Sequence, residues 1–148
     1  MKTARIVLGS LLLLILAAPV TFAHERRVVG DGDERYYVIF GFVQEPVFTQ
    51  ERNGLDLFIR RAGEDRVPVE GIEGSLNATI TSPDGTQTHT FTLRARYGGS
   101  RGYTDEVMLT RTGVYKVRIW GIIGNVEFDE TFHSSEVREI SSLRFPRG

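Results

Sequence analysis

The three histidines are the first candidates for metal ligands in this chain, because it contains no cysteine. His24 follows a stretch of small residues near the start, whereas His89 and His133 occur much later. A histidine at a free chain terminus offers both an α-amine and an imidazole, and Cu(II) favours tetragonal nitrogen and oxygen donors. A second imidazole would complete such a site. We therefore predict that the candidate metal ligands are His24, His89 and His133.

The first 23 residues decide whether His24 becomes a chain terminus. Lys2 and Arg5 are followed by a largely apolar run over residues 6–18. The run is shorter than the roughly 20 apolar residues that span a bilayer, and this arrangement is typical of a secretory signal peptide. Small residues one and three positions before the junction predict cleavage after Ala23. Residues 1–23 are thus the predicted signal peptide, and we expect a secreted or periplasmic protein that keeps no stable membrane anchor.

Size and charge narrow the possible functions further. Cleavage after Ala23 leaves 125 of the 148 residues, a length that suits one domain. The chain has 18 basic and 19 acidic residues, and its net charge of −1 becomes −3 once Lys2 and Arg5 are removed. Because this composition does not indicate a clustered basic surface, we expect no nucleic-acid partner. The lack of cysteine excludes disulfides and thiol catalysis, so the core alone must hold the domain together.

Strands are the elements that must position the histidines. Turn signals recur every eight to twelve residues, with β-type runs between them. Ser82–Gly85 (Ser-Pro-Asp-Gly) predicts a hairpin turn, and the return strand places His89, Phe91 and Leu93 on one inward face near the rim of the core. Tyr115, two residues past a glycine, suits the tyrosine corner of immunoglobulin folds. The pattern predicts an all-β protein, an antiparallel immunoglobulin-like β-sandwich of seven or eight strands.

The sandwich is predicted over residues 36–133. The polar, glycine-bearing segment 24–35 is interpreted as a flexible leader, and residues 134–148 form a polar C-terminal tail that either docks as one more strand or stays loose. His133 would then lie exposed at a strand end. Trp120 is expected on an outer sheet face, where it would serve as a contact point.

The sequence motifs give little support to catalysis. The chain has no Gly-x-Ser-x-Gly elbow, no His-Glu-x-x-His and no phosphate-binding loop. Glu127 and Asp129 project together, but an open sheet face lacks the desolvation that tunes a carboxylic acid. We therefore predict that the chain is not an enzyme and needs no cofactor. It is expected to be an exported binding or accessory module for a protein or polymer ligand.

The alternative hypothesis is a periplasmic Cu(II)-binding carrier that uses the mature N-terminal His24. A copper enzyme that cuts polysaccharide by oxidation would rest on the same residue, but the mature chain is short for an added flat substrate face.

A family resemblance bears on the copper hypothesis. The segments NGLDLFI, VPVEGIEGSLNATITSPDG and GYTDEVMLTRTGVYKVRIWG occur in this order within residues 38–132. This order resembles bacterial periplasmic immunoglobulin-like domains of the YtkA-like kind and is more distantly similar to the copper carriers called CopC. The resemblance implies a metal role, with His24 at the position of the N-terminal histidine of such carriers. Their Asp-x-His element has no counterpart, since Asp129 and His133 are spaced differently, and Met108 is the only methionine outside the signal peptide.

Overall fold

The computed structural model describes residues 24–63, 65–96 and 101–146. Within these residues the chain forms ten β-strands and two short 3-10 helices, and the strands build two antiparallel sheets that pack as a sandwich. The predicted all-β, immunoglobulin-like sandwich is therefore confirmed. The strand number exceeds the predicted seven or eight because several strands between residues 88 and 108 are only two to four residues long.

The ten strands range from two to ten residues in length. In chain order they are β1 (Glu25–Val29), β2 (Tyr36–Phe42), β3 (Arg52–Arg61), β4 (Leu76–Thr81), β5 (Thr88–Phe91), β6 (Arg94–Ala95), β7 (Tyr103–Thr104), β8 (Glu106–Met108), β9 (Lys116–Ile123) and β10 (Val126–His133). The six-stranded sheet has the order β1-β2-β3-β7-β6, with β8 also paired to β3. The four-stranded sheet has the order β10-β9-β4-β5. The 3-10 helices span Glu73–Ser75 and Ile140–Leu143.

The core lies between the two sheets and follows from strand alternation. Every second residue of a strand points to the same side, and the inward residues of the long strands are apolar and almost fully buried. They include Val38, Phe40, Leu55, Leu57, Ile59, Val117, Ile119 and Phe132. Phe40 of one sheet contacts Phe132 of the other, with 5.7 Å between the ring centroids. Burying each large apolar side chain contributes about 1.5–3 kcal/mol, so this layer holds the sheets together.

The predicted flexible leader over residues 24–35 is wrong for its first half. Glu25–Val29 is strand β1, which pairs antiparallel with β2 and places Val29 in the core. Arg27 reaches the other sheet, where it forms an ion pair with Glu130 at 3.7 Å. The sequence suggested a short edge strand at Val28–Val29, but the polar residues before them hid the rest, because β1 lies at a sheet edge and Val29 is its one buried residue. The sandwich therefore begins at residue 25 rather than 36, and the predicted signal peptide lies outside the described residues.

The C-terminal tail docks against the sandwich over its first residues. Val137 is fully buried and bridges Gly113, while Arg138 bridges Phe48. The backbone N–H of Thr49 donates to the carbonyl of Arg138 at 2.9 Å. The sequence left open whether the tail docks as one more strand or stays loose. The structure shows that these residues dock, through isolated bridges rather than a full strand.

The predicted tyrosine corner is present at Tyr115. The side chain is buried, and its hydroxyl donates to the carbonyl of Arg111 at 2.9 Å. The backbone N–H of Arg111 donates to the same hydroxyl at 3.3 Å. One phenol thus satisfies both backbone groups of a residue in the turn that precedes β9.

We expect Tyr115→Phe to lower the free energy of unfolding by about 1–3 kcal/mol, because the backbone groups of Arg111 lose their partner. Urea denaturation followed by circular dichroism measures the change. Tyr37→Phe is the matched control, since the Tyr37 hydroxyl has no hydrogen bond within the described residues and surface changes stay within about 0.5 kcal/mol. Equal effects of the two substitutions would show that the corner does not stabilise the fold.

Candidate binding face

The outer face of the six-stranded sheet is rich in arginine and aromatic side chains. Strand pairing places Arg26, Ile39 and Phe58 in one outward row across β1, β2 and β3, and Val28, Tyr37 and Arg60 in the next row. Arg66, from the loop after β3, joins them beside Tyr37. We call the group formed by Arg26, Tyr37, Phe58, Arg60 and Arg66 the arginine face.

The guanidinium groups of this face lie over aromatic rings. The Cζ of Arg26 lies 4.8 Å from the ring centroid of Tyr37, and that of Arg66 lies 6.0 Å from the same ring. The Cζ of Arg60 lies 5.6 Å from the ring centroid of Phe58. A cation–π contact uses the positive charge of a guanidinium and takes up none of its hydrogen-bond donors. Its N–H edges can therefore still donate in pairs to a carboxylate or a similar anion.

These arginines have no ion-pair partner within the described residues. Nine ion pairs are found there, and none includes Arg26, Arg60 or Arg66. Glu64 and Asp65 precede Arg66 in the chain and Asp65 is exposed, so two carboxylates are close in sequence. The described part of the face nevertheless has an excess of positive charge.

Two backbone features shape the arginine face. Arg66 adopts a left-handed conformation with φ of 45°, which costs a non-glycine residue roughly 1–2 kcal/mol. Strain of this kind often accompanies binding sites, because the surrounding structure must hold it in place. Next to β3, Gly102 leaves room for the ring of Phe58, since a Cβ at this position would lie 2.9 Å from the ring. Gly102 therefore lets the ring of Phe58 approach the backbone closely at this position.

A buried carboxylate anchors the neighbouring end of this face. The Asp56 side chain is only 10% exposed, and one of its oxygens accepts a hydrogen bond from Arg96 at 2.5 Å. The other oxygen lies 3.2 Å from Nε2 of His24. Asp56 pairs with Gly41 on β2, and because Gly41 has no side chain, His24, the residue before β1, can reach Asp56.

The structure brings two of the three predicted metal ligands to one place. His24 and His133 line the same open depression of about 690 Å³, together with Arg26 and Ser135. His89 lies on β5, three strand spacings from β10, which corresponds to about 14 Å. It therefore does not join His24 and His133. No group of three or more histidine and acidic side chains within the described residues is arranged to hold a metal ion.

His89 itself faces inward but is exposed. It pairs with Ile80 on β4, as the predicted inward phase requires, yet β5 is an edge strand and leaves the imidazole open to solvent. Its ring contacts Phe91 edge-on, with 5.3 Å between the centroids.

His133 is exposed at the end of β10, as predicted, and its backbone N–H donates to the Glu25 carboxylate at 2.7 Å.

Trp120 lies on the outer face of the other sheet, as predicted, but it is already covered in part. The Cζ of Arg118 lies 4.6 Å from its ring, and Arg118 donates two hydrogen bonds to Asp129, at 2.8 and 2.6 Å. These hydrogen bonds raise the pKa of Arg118 and lower that of Asp129. Glu127 and Asp129 flank a shallow depression beside Trp120. Because its cation already has an anion, this surface is the weaker candidate for a charged ligand.

Sequence reasoning missed the arginine face, although a signal for it exists. Of the 18 basic residues, 16 are arginine, and the two lysines are Lys2 and Lys116. Arginine is favoured over lysine where a cation must stack on an aromatic ring or donate in pairs. The near-zero net charge concealed this bias, because it averages over both sheets and says nothing of where the charges lie.

Comparisons with known proteins identify no relative of this chain. It matches no family model, no curated protein and no solved structure. The resemblance to the periplasmic copper-associated domains therefore stays a prediction. No helix in the described part of the chain is long and apolar enough to cross a bilayer.

The buried ion pair of this face should matter more than an exposed one. We expect Asp56→Asn to lower the free energy of unfolding by about 1–3 kcal/mol, since Arg96 would lose its charged partner in a half-buried setting. Asp129→Asn removes the same charge from an exposed pair with Arg118 and should have a clearly smaller effect. Urea denaturation of both variants at pH 7 measures the difference. If the Asp129 variant is the less stable of the two, Asp56 is not the anchor of this surface.

Proposed function

We propose that the chain is an exported, non-catalytic binding module that holds an acidic polymer against its arginine face. The observation that carries the proposal is that the guanidinium groups of three arginines lie over the rings of Tyr37 and Phe58, and that none of the three forms an ion pair within the described residues. Export is supported by the signal peptide predicted over residues 1–23.

The geometry suits a ligand that carries carboxylates at repeated positions. Neighbouring strands lie about 4.8 Å apart, so Arg26 on β1 and Arg60 on β3 flank a strip two strand spacings wide. An extended polymer crossing this strip can place successive carboxylates against separate guanidinium groups. Each such pair forms charge-assisted, two-pronged hydrogen bonds. Stacking on the rings holds the arginines in place beforehand, which reduces the entropy lost on binding.

The mature chain has a net charge of −3 if cleavage follows Ala23, so attraction of an acidic ligand must come from the local excess of arginine. At physiological ionic strength, salt screens interactions between exposed charges beyond a Debye length of roughly 8 Å. Binding should therefore depend on this one face and weaken as salt is added.

Replacing Arg26, Arg60 and Arg66 by Gln should weaken binding to polygalacturonate by about tenfold or more at low salt, because three charge-assisted contacts are lost. Biolayer interferometry with immobilised polygalacturonate measures the affinity, and neutral dextran serves as the uncharged polymer. The native protein should lose affinity as NaCl is raised and should not bind dextran.

The matched control replaces Arg111, Lys116 and Arg118 by Gln, which removes the same charge away from the arginine face. Circular dichroism checks that both variants are folded. An equal loss of affinity in the two variants would show that net charge, not the arginine face, attracts the polymer. Tighter binding of the native protein to duplex DNA than to polygalacturonate would also contradict the proposal.

A second candidate function, Cu(II) binding at the mature N-terminus, is favoured by the setting of His24. Its Nε2 is engaged by Asp56 at 3.2 Å, which leaves Nδ1, the ring nitrogen that can chelate together with the α-amine of the same residue. A carboxylate that holds the other ring nitrogen is the usual partner of a metal-binding histidine. His133 lines the same depression and would supply another imidazole. Copper would then be cargo, and Asp56 would orient the chelating ring.

If His24 binds copper, the mature protein should take up one Cu(II) per chain and show a visible absorption band. His24→Ala, or one extra residue before His24, should abolish this uptake because the paired amine and imidazole are lost. His89→Ala is the control and should leave uptake unchanged, since His89 lies on the far strand. Titration followed by absorption and native mass spectrometry measures uptake. Unaltered uptake in the His24 variants would eliminate this candidate.

A further inference from the structure

The two edges of the four-stranded sheet differ in what lies beside them. The β10 edge is next to β1, where Arg27 donates to the carbonyl of Thr131 at 3.4 Å and the Glu25 carboxylate accepts from the N–H of His133. The β5 edge has no strand paired to its outer side within the described residues. Side chains thus connect the two sheets along the β10 edge. Along the β5 edge the sheets are separated by a cleft of about 400 Å³, which lies between β5 and β8.

The backbone groups on the open edge can be assigned from the hairpin that precedes it. The N–H of Ser82 donates to the carbonyl of Gln87 at 2.9 Å. Hydrogen-bonded and non-hydrogen-bonded pairs alternate in an antiparallel ladder. His89, two residues after Gln87, therefore has its backbone groups bonded to β4. The N–H and C=O groups of Thr88 and Thr90 point away from β4. The N–H of Thr92, the next outward position, donates to the Asp105 carboxylate at 2.8 Å. Thr88 and Thr90 are therefore the open positions.

The open edge also lacks Asp, Glu, Lys and Arg. Natural proteins protect exposed strand edges with charged residues or proline, because unpaired backbone groups attract other strands. The other edge strands, β1, β6, β8 and β10, each contain at least one Asp, Glu or Arg, whereas β5 reads Thr-His-Thr-Phe. Within the described residues, β5 is therefore the edge strand that lacks this protection.

We infer that two copies of the chain pair through β5 in antiparallel orientation, about a twofold axis at His89. Thr-His-Thr reads the same in both directions, so this pairing sets Thr88 against Thr90 of the second copy and His89 against its own counterpart. Threonine pairs opposite each other stabilise a sheet, and an isologous contact needs such a self-complementary surface.

A second copy suits this edge better than a charged partner does. No charged residues meet across the axis, whereas any other edge strand paired with itself would bring charged side chains close together. His89 would face the open cleft, in which Glu106 of β8 and Arg111 also lie. The pairing would join two four-stranded sheets into one continuous sheet of eight.

A single introduced cysteine tests this pairing in the full mature chain, because the protein has none of its own. In the proposed register, position 89 forms a non-hydrogen-bonded pair with itself at about 4.5 Å between Cα atoms, which lies within the range for a disulfide. We expect His89→Cys to give a disulfide-linked dimer under mild oxidation, roughly tenfold faster than Thr90→Cys. Position 90 faces position 88 of the second copy rather than itself. Thr131→Cys, on the opposite edge, is the second control and should also react slowly.

Non-reducing electrophoresis follows the cross-link over time, and circular dichroism checks that each variant is folded. Sedimentation of chains without cysteine gives an independent measurement. The native protein and His89→Thr should show the same concentration-dependent dimer, whereas His89→Lys should be monomeric, because it places like charges opposite each other. Equal cross-linking rates at positions 89, 90 and 131, or unchanged sedimentation of His89→Lys, would overturn the inference.

Discussion

Burial of one face of each sheet against the other is the constraint on which the rest of this structure depends. Phe40 and Phe132 meet at the middle of the sandwich, and the residues that alternate with them must face outward. A slip of β3 by one residue against β2 would bury Phe58 and Arg60 and expose Leu57 and Ile59, at a cost of several kcal/mol. The core therefore decides the register, and the register decides which side chains meet the solvent.

The arginine face follows from this register. Arg26, Tyr37 and Arg60 are not neighbours in the chain, and they share a surface only because β1, β2 and β3 are aligned by their inward residues. Cation–π contacts with the aromatic rings then hold each guanidinium without consuming its hydrogen-bond donors. Asp56 is placed in the same way, and the missing side chain of Gly41 allows His24 to reach it across an intervening strand.

The proposed binding face and the inferred self-pairing edge use different sheets. The arginine face lies on the outside of the six-stranded sheet, whereas β5 is the edge of the four-stranded sheet. A dimer formed through β5 would thus present two arginine faces at once. Two linked sites can hold one long polymer far more tightly than a single site can, because the second contact forms at a high effective concentration.

Local patterns in the sequence were enough for the fold class and for several details. Strand alternation and turn residues predicted the antiparallel sandwich, and the position of Tyr115 two residues past a glycine predicted the tyrosine corner, whose hydroxyl donates to Arg111 in the structure. Patterns of this kind act over a few residues, so they can be recognised without knowing which strands become neighbours. The inward phase of His89 and the outward position of Trp120 were predicted for the same reason.

What the sequence by itself determined was that the long runs after residue 35 are strands and, for several of them, which face is apolar. Only the tertiary structure decided that the polar segment after His24 is an edge strand, that His24 and His133 share a depression while His89 does not, and that three arginines gather on two rings. Each of these outcomes depends on contacts between residues far apart in the chain. Hydrophobic burial chooses those contacts for the whole domain at once, and no short stretch of residues records the choice.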